Sequence, residues 1–174
     1  ARAGGSVRLR LPGEVLTLRT GESHGDVDAD SLARQMIRQT IERHFRKELR
    51  LKPMGIKTLS LFFINRVADY RDYEGDTPKP GPLATIFEDE YQRLALNDEF
   101  KTLFVDSPPD PATAHNGYFS MDKKRRFTEP TLNAAGEFSN ASSRDDAARA
   151  FDLIMKDKEK LLDENEPLRF IFSH

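Results

Sequence analysis

The sequence predicts an α/β fold, and three observations carry that expectation. Ile56–Ile64 (IKTLSLFFI) is a strand-length run dominated by apolar residues, with polar side chains only at Lys57, Thr58 and Ser60. A strand apolar on both faces implies parallel pairing with cover on both sides. Leu168–Phe172 (LRFIF) has the same character, although a run this short is separable from a buried helical turn only by context. Amphipathic helical patterns precede, separate and lead into these runs, and strand–loop–helix alternation is the building unit of α/β domains.

The chain begins with alternation. Val7, Leu9 and Leu11 are interleaved with Arg8 and Arg10, and a Pro12-Gly13 turn follows, so Val7–Glu22 reads as a β-hairpin. Asp26, Asp28 and Asp30 resemble a cation loop, but the glycine and the distal glutamate of a calcium loop are missing. They read instead as a solvated turn leading to a helix N-cap at Asp30 or Ser31. In the helix that follows, Leu32, Met36, Ile37, Ile41, Phe45 and Leu49 form an apolar stripe. Its other faces carry Arg34, Arg38, Arg43, Arg46, Lys47 and Arg50 against Glu42 and Glu48. Such a helix is either a solvated amphipathic element or one facing nucleic acid. His44 lies beside the stripe with no partner at i+4 and is expected to pack.

Phe62 and Phe63 are expected in the core. Asn65 ends their strand, and Arg66–Tyr73 (RVADYRDY) looks like the start of a short helix. Gly75–Pro82 (GDTPKPGP) should be a loop, because its prolines oppose regular pairing. Leu83–Leu96 is a helix with Leu83, Ile86, Phe87, Tyr91 and Leu94 on one side. The EDEY within it resembles an acidic Mg²⁺/ATP box, but such a box follows a buried strand, and here the spacing is helical. After a proline-rich loop, Gly117–Met121 is strand-like and Lys123–Arg126 is basic. A polar surface segment, Thr128–Asp146, leads to a last helix with Ala147, Phe151, Ile154 and Leu161 or Leu162 inward.

The length of 174 residues suits one domain. Charged residues make up 32% of the chain but the net charge is only −2, so any contact with nucleic acid must come from local patches. With no cysteine there is neither a disulfide nor a thiolate zinc site. No membrane-length apolar run occurs, and the N-terminus lacks the apolar region of a signal peptide. A cytoplasmic location is the expectation. Enzyme signatures fail in turn. No glycine precedes a lysine, so there is no phosphate-cradling P-loop; H-E-x-x-H and G-x-S-x-G are also missing. His24, His44, His115 and His174 are scattered. No catalytic, cofactor-binding or metal-binding residue is expected.

The wording of particular segments goes further. IRQTIERHFRKELRL, GIKTLSLFFINRVADYR, IFEDEYQRL, HNGYFSMDKK and FDLIMKDKEKLLDENEPLRFIFSH resemble, in that order, the Res subunit of type III restriction-modification enzymes. These are superfamily 2 helicase-like ATPases that move on DNA and carry a separate nuclease domain. The resemblance implies that TLSLFFI is helicase motif IV and that RFIFSH is the strand running into motif V. It divides the chain into a hairpin and linker over 1–29 and the first part of the second RecA-like motor domain over 30–174, cut where motif V begins.

The resemblance implies a partial RecA-like parallel sheet with flanking helices, plus the N-terminal hairpin. Its partners would be double-stranded DNA, the Mod methyltransferase subunit and the first RecA-like domain of the same chain. ATP and Mg²⁺ would serve the whole enzyme, while this stretch alone should be inactive. Strand-end loops face DNA in such motors, which nominates Asn65, Arg66, Ser173 and His174. Ser120, Lys123, Lys124, Arg125 and Arg126 join them after another strand, with Tyr118, Phe119 and Phe127 interleaved for base stacking. Lys123–Arg126 reads equally as a solvated hairpin turn. The rival readings are a non-catalytic module that binds DNA non-specifically or contacts Mod, and a hydrolase using Asp69, Asp72 and Glu74, which has only surface carboxylates in its favour.

Overall fold

The computed structural model describes residues 6–11, 14–19, 28–105, 108–122, 126–128, 152 and 154–173. The chain forms two compact units, Ala1–Leu32 and Ala33–His174. In the first unit β1 (Ser6–Leu11) pairs antiparallel with β2 (Glu14–Arg19), in the register Ser6–Arg19 to Leu11–Glu14. The expected hairpin is present.

Helix α1 (Ala29–Leu51) starts one residue before the earlier of its two expected caps, Asp30. Asp28 caps it, accepting from the backbone N–H groups of Asp30 (3.0 Å) and Ser31 (3.2 Å) and from the Ser31 hydroxyl. A cap of this kind is worth about 1 kcal/mol. The buried strip is Ile37, Ile41, His44, Phe45 and Glu48, spaced at i, i+4, i+7, i+8 and i+11. Leu32 and Met36, expected inward, are exposed. His44 packs as expected, 4.2 Å from the Phe170 ring, but it does have an i+4 neighbour: Glu48 lies 3.4 Å from its Nε2.

The central sheet is three-stranded and parallel, in the order β3–β9–β6, with β3 (Ser60–Phe63), β6 (His115–Gly117) and β9 (Phe170–Ser173). All four residues of β9 are buried, as a central strand requires. Phe170 and Phe172 point into the main core with Ile37, Ile41 and Phe45 of α1 and with Ile86, Phe87 and Tyr91 of α2 (Pro82–Ala95). Phe172 stacks on Phe62 and on Tyr70, each at 4.7 Å, and Phe45 meets Tyr91 and Phe100 edge-on at 5.3 Å. Such pairs add about 0.5–1.5 kcal/mol each beyond area burial. On the opposite face Ile171 packs with Tyr118, Leu168 and Leu161, the last from α3 (Lys158–Leu162). Leu162 is exposed, and Ala147 and Phe151 lie outside the described residues.

Three expectations are corrected. Phe63 is not core; it is 75% exposed, and Leu61 is exposed beside it. β3 is an edge strand, and successive side chains alternate between faces, so Phe62 meets the core while the Leu61–Phe63 face at this edge stays open. Arg66–Tyr73 is not a helix: a single 3₁₀ turn (Val67–Asp69) passes into β4 (Arg71–Glu74). The proline-rich Gly75–Pro82 is not simply a loop, because Thr77–Pro80 is β5, antiparallel to β4. Pro78 and Pro80 are two residues apart on a two-stranded ribbon, where their missing N–H groups can all face outward. Gly75, at φ 64°, supplies the left-handed turn between them.

Candidate nucleic-acid interface

Because β3, β9 and β6 run parallel, their C-terminal ends emerge on one edge of the sheet. Backbone bonds lock that edge: the Ile64 N–H donates to the Ser173 carbonyl (2.9 Å) and the Tyr118 N–H to the Phe172 carbonyl (2.8 Å). The residues nominated from sequence after these strands are therefore brought together, but they are not presented alike. Asn65 and Arg66 are exposed, and Arg66 is clamped to Asp69, with its Nε 3.3 Å from Oδ2. Ser173 is 4% exposed, and its hydroxyl donates inward to the Tyr118 carbonyl at 2.9 Å. Ser120 is fully buried. Both hydroxyls are thus enclosed by the protein: Ser173 ends the central strand of the parallel sheet, and Ser120 opens a separate two-stranded hairpin.

The basic run is framed by a small hairpin of β7 (Ser120–Met121) and β8 (Phe127–Thr128). Arg126 sits at its base with Nε 2.9 Å from Asp122 Oδ2 and a second carboxylate, Asp76, at 3.9 Å. Lys123, Lys124, Arg125 and His174 lie outside the described residues. The expectation of aromatic stacking is corrected. Tyr118 and Phe119 are buried, and Phe127, half-buried, packs edge-on against Phe119 at 5.2 Å with the Arg71 guanidinium over its ring. These rings fill the core, so no open aromatic platform forms.

The arginines of α1 separate into two sets. Glu90 of α2 is fully buried, and Arg34 (2.9 Å), Arg38 (2.7 Å) and Arg93 (3.5 Å) converge on it. The Arg38 hydrogen bond and the Arg34 bond outweigh burial and hold the Glu90 carboxyl below its ordinary range. Arg46 pairs with Glu99 (2.9 Å) and with Glu42. Arg43, Lys47 and Arg50 are exposed. Much of the charge that suggested a nucleic-acid-facing helix is therefore neutralised within the fold.

Sequence reasoning missed one cluster. His115 accepts from the Tyr70 hydroxyl at Nδ1 (2.9 Å) and donates from Nε2–H to Glu88 Oε1 (3.2 Å), at the wall of a cavity of about 640 Å³. Burial pushes its pKa down and the Tyr70 phenol up. Tyr70 is 1% exposed, and its hydroxyl and both His115 nitrogens have partners, so the Tyr70–His115 pair is a satisfied network whose Glu88 end is partly open to solvent. No sequence signal could have shown it, since its members lie 45 and 27 positions apart. Among the described residues no group of three or more His, Asp or Glu is placed to hold a metal ion, and no helix is long and apolar enough to cross a membrane.

Comparison with known proteins matches the Res subunits of type III restriction-modification enzymes. The chain is 31% identical to the EcoP15I Res subunit of Escherichia coli over 91% of its own length, and 33% identical to the EcoPI Res subunit of Escherichia phage P1 over 82%. It is 34% identical to the StyLTI Res subunit of Salmonella typhimurium over 68%. It spans only 15%, 14% and 12% of those relatives. No family model matches, and no solved structure matches. The parallel sheet with flanking helices is compatible with part of a RecA-like fold, and over most of its length this chain belongs to the family of type III restriction-modification Res subunits.

Proposed function

We propose that this chain is the first part of the second RecA-like domain of an ATP-dependent DNA motor in a type III restriction enzyme. Residues 30–174 would contribute motif IV, the strand leading to motif V and a stretch of DNA track. The observation that carries the reading is the β3–β9–β6 order, which gathers three strand ends on one edge in a Res-family sequence. On this reading Asn65 and Arg66 follow the β3 end, Ser173 closes the β9 end, and Ser120 with the Lys123–Arg126 run comes after β6 in the chain. The surface would grip the phosphate backbone without reading bases, which suits a translocating motor.

The residues present do not fit a nucleotide site. The sequence has no phosphate loop, and the described residues form no cluster for Mg²⁺. No step through ATP is assigned to them. ATP and Mg²⁺ would be handled together with the first RecA-like domain, the Mod subunit would select the DNA sequence, and the enzyme would work in the cytoplasm.

Two measurements test the reading. Phosphate release with ATP, Mg²⁺ and duplex DNA should be nil for this chain, and turnover that survives repurification would overturn the assignment. Duplex binding should be weak, with log K falling against log salt at a slope of roughly −2 to −4 for two to four phosphate contacts. Replacing Lys123, Lys124, Arg125 and Arg126 by alanine should flatten it; an unchanged slope moves the track elsewhere.

A further inference from the structure

The Tyr70–His115–Glu88 network forms one wall of the cavity of about 640 Å³, a size ordinary for a small-molecule site. The cavity borders the start of β6 at His115 and the approach to β9 at Leu168, the opposite ends of those strands from the strand-end edge. Its wall is firmly built. A Cβ at Gly117 would lie 2.6 Å from Cε1 of Tyr70, so this glycine lets the tyrosine ring press against β6. The Gly81 N–H donates to the Tyr70 carbonyl at 2.8 Å and closes the base of the β4–β5 ribbon.

Two opposite charges line this cavity without neutralising each other. The Arg71 guanidinium carbon is 5.6 Å from the Tyr70 ring centroid and 5.2 Å from that of Phe127. Among the described residues it pairs with no carboxylate. Glu88 engages His115 through Oε1, and among the described residues its Oε2 has no partner. Burial lowers the His115 pKa, so at neutral pH the imidazole leaves the Glu88 charge uncompensated. The other charged side chains of the lining have partners: Lys79 meets Glu74, Asp157 accepts the Tyr118 hydroxyl at 3.2 Å, and Glu166 lies near Lys57. Pro80, Ala84, Leu161 and Leu168 add apolar surface of the kind that suits methylene groups.

We infer that this cavity binds a small zwitterion, its carboxylate on the Arg71 guanidinium, its ammonium on Glu88, and a short aliphatic spacer between them. A guanidinium takes a carboxylate through paired N–H donors, and Oε2 of Glu88 is open to accept from an ammonium. A singly charged ligand satisfies one end and leaves the other as it was. An apolar ligand would strip water from both charges and return nothing. The site is separate from the strand-end edge and does not depend on the motor reading.

The test is calorimetric titration of the whole chain with glycine, β-alanine, γ-aminobutyrate, δ-aminovalerate and ε-aminocaproate, beside butyrate and butylamine. One member of the series should bind about tenfold more tightly than either singly charged analogue, the worth of one charge-assisted contact. In Arg71→Gln that zwitterion should bind no better than butylamine, and in Glu88→Gln no better than butyrate. Arg71→Lys keeps the charge and should retain most of the preference. Thermal melts equal to the parent's show that the fold is retained. If Arg71→Gln melts lower, Glu88→Gln and the ligand series on the parent chain still decide. A series that binds no better than the singly charged analogues overturns the inference, as does an unchanged preference in Glu88→Gln. Loss of the preference in Asp157→Asn instead of Glu88→Gln places the ammonium elsewhere and overturns the assignment of Glu88.

Discussion

Helix α1 and the β1–β2 hairpin are both rich in arginine, and the chain sets that charge differently: across the fold to distant acids in α1, and opposite neutral residues in the hairpin register. In α1, Arg34 and Arg38 reach across to a carboxylate with no solvent exposure, and Arg46 bridges Glu99 and Glu42. In the hairpin each arginine stands opposite serine, threonine or valine. A basic run is thus a poor guide to nucleic-acid binding until its acids are located, and those acids can be far away. Glu90 is 56 positions from Arg34.

The largest effect that would break this comparison lies at Glu90. Replacing Arg34 and Arg38 together by alanine leaves a buried carboxylate with Arg93 alone at 3.5 Å. Loss of about 3–5 kcal/mol is expected in urea unfolding, the usual cost of stranding a buried charge. Arg8, exposed in the hairpin, should by contrast change stability by less than about 0.5 kcal/mol when replaced by alanine. Equal losses would mean that Arg8 is also structural.

A pH titration of stability sharpens the same contrast. Burial lowers the pKa of His44, with Glu48 opposing and Arg169 and Lys47 assisting, and it lowers that of His115 against Glu88, with Arg71 assisting. The unfolded chain therefore takes up protons first. Stability from these two histidines is complete above the unfolded value of 6.5 and declines as pH falls below it. Glu90, whose folded pKa is depressed, adds a second loss as pH falls below its unfolded value of 4.5. His44→Phe, which fills the same aromatic contact with Phe170, should remove part of the first limb. Glu90→Gln should remove the second. Melts that are flat from pH 7 to pH 4 would contradict both burials.

The smallest effect is expected at Arg43 and Arg50, which are exposed on α1. Their alanine variants should melt within about 0.5 kcal/mol of the parent. Their influence on the DNA salt slope reads out whether any part of α1 faces DNA.

Several features of this protein were determined by local sequence alone. The alternation at Val7–Leu11 specifies a strand, the 3.6-residue spacing of Ile37, Ile41 and Phe45 specifies a helix, and the Phe170–Phe172 run marks a buried element whose strand character came from its context. Each depends only on which neighbours along the chain share a face. The cap at Asp28 was readable in kind and displaced only in position. Other features were decided by tertiary structure. Phe63 looks as apolar as Phe62, but β3 lies at the sheet edge and only one of its faces is covered. Pro78 and Pro80 oppose pairing in general but tolerate a ribbon whose outward side needs no N–H. Glu90 reads as a solvated helix residue until Arg34 and Arg38 close over it, and His115 reads as scattered until Tyr70 and Glu88 meet it. Periodicity reports which side of an element a residue occupies; what covers that side is supplied by chain tens of residues away, and only the folded arrangement brings the two together.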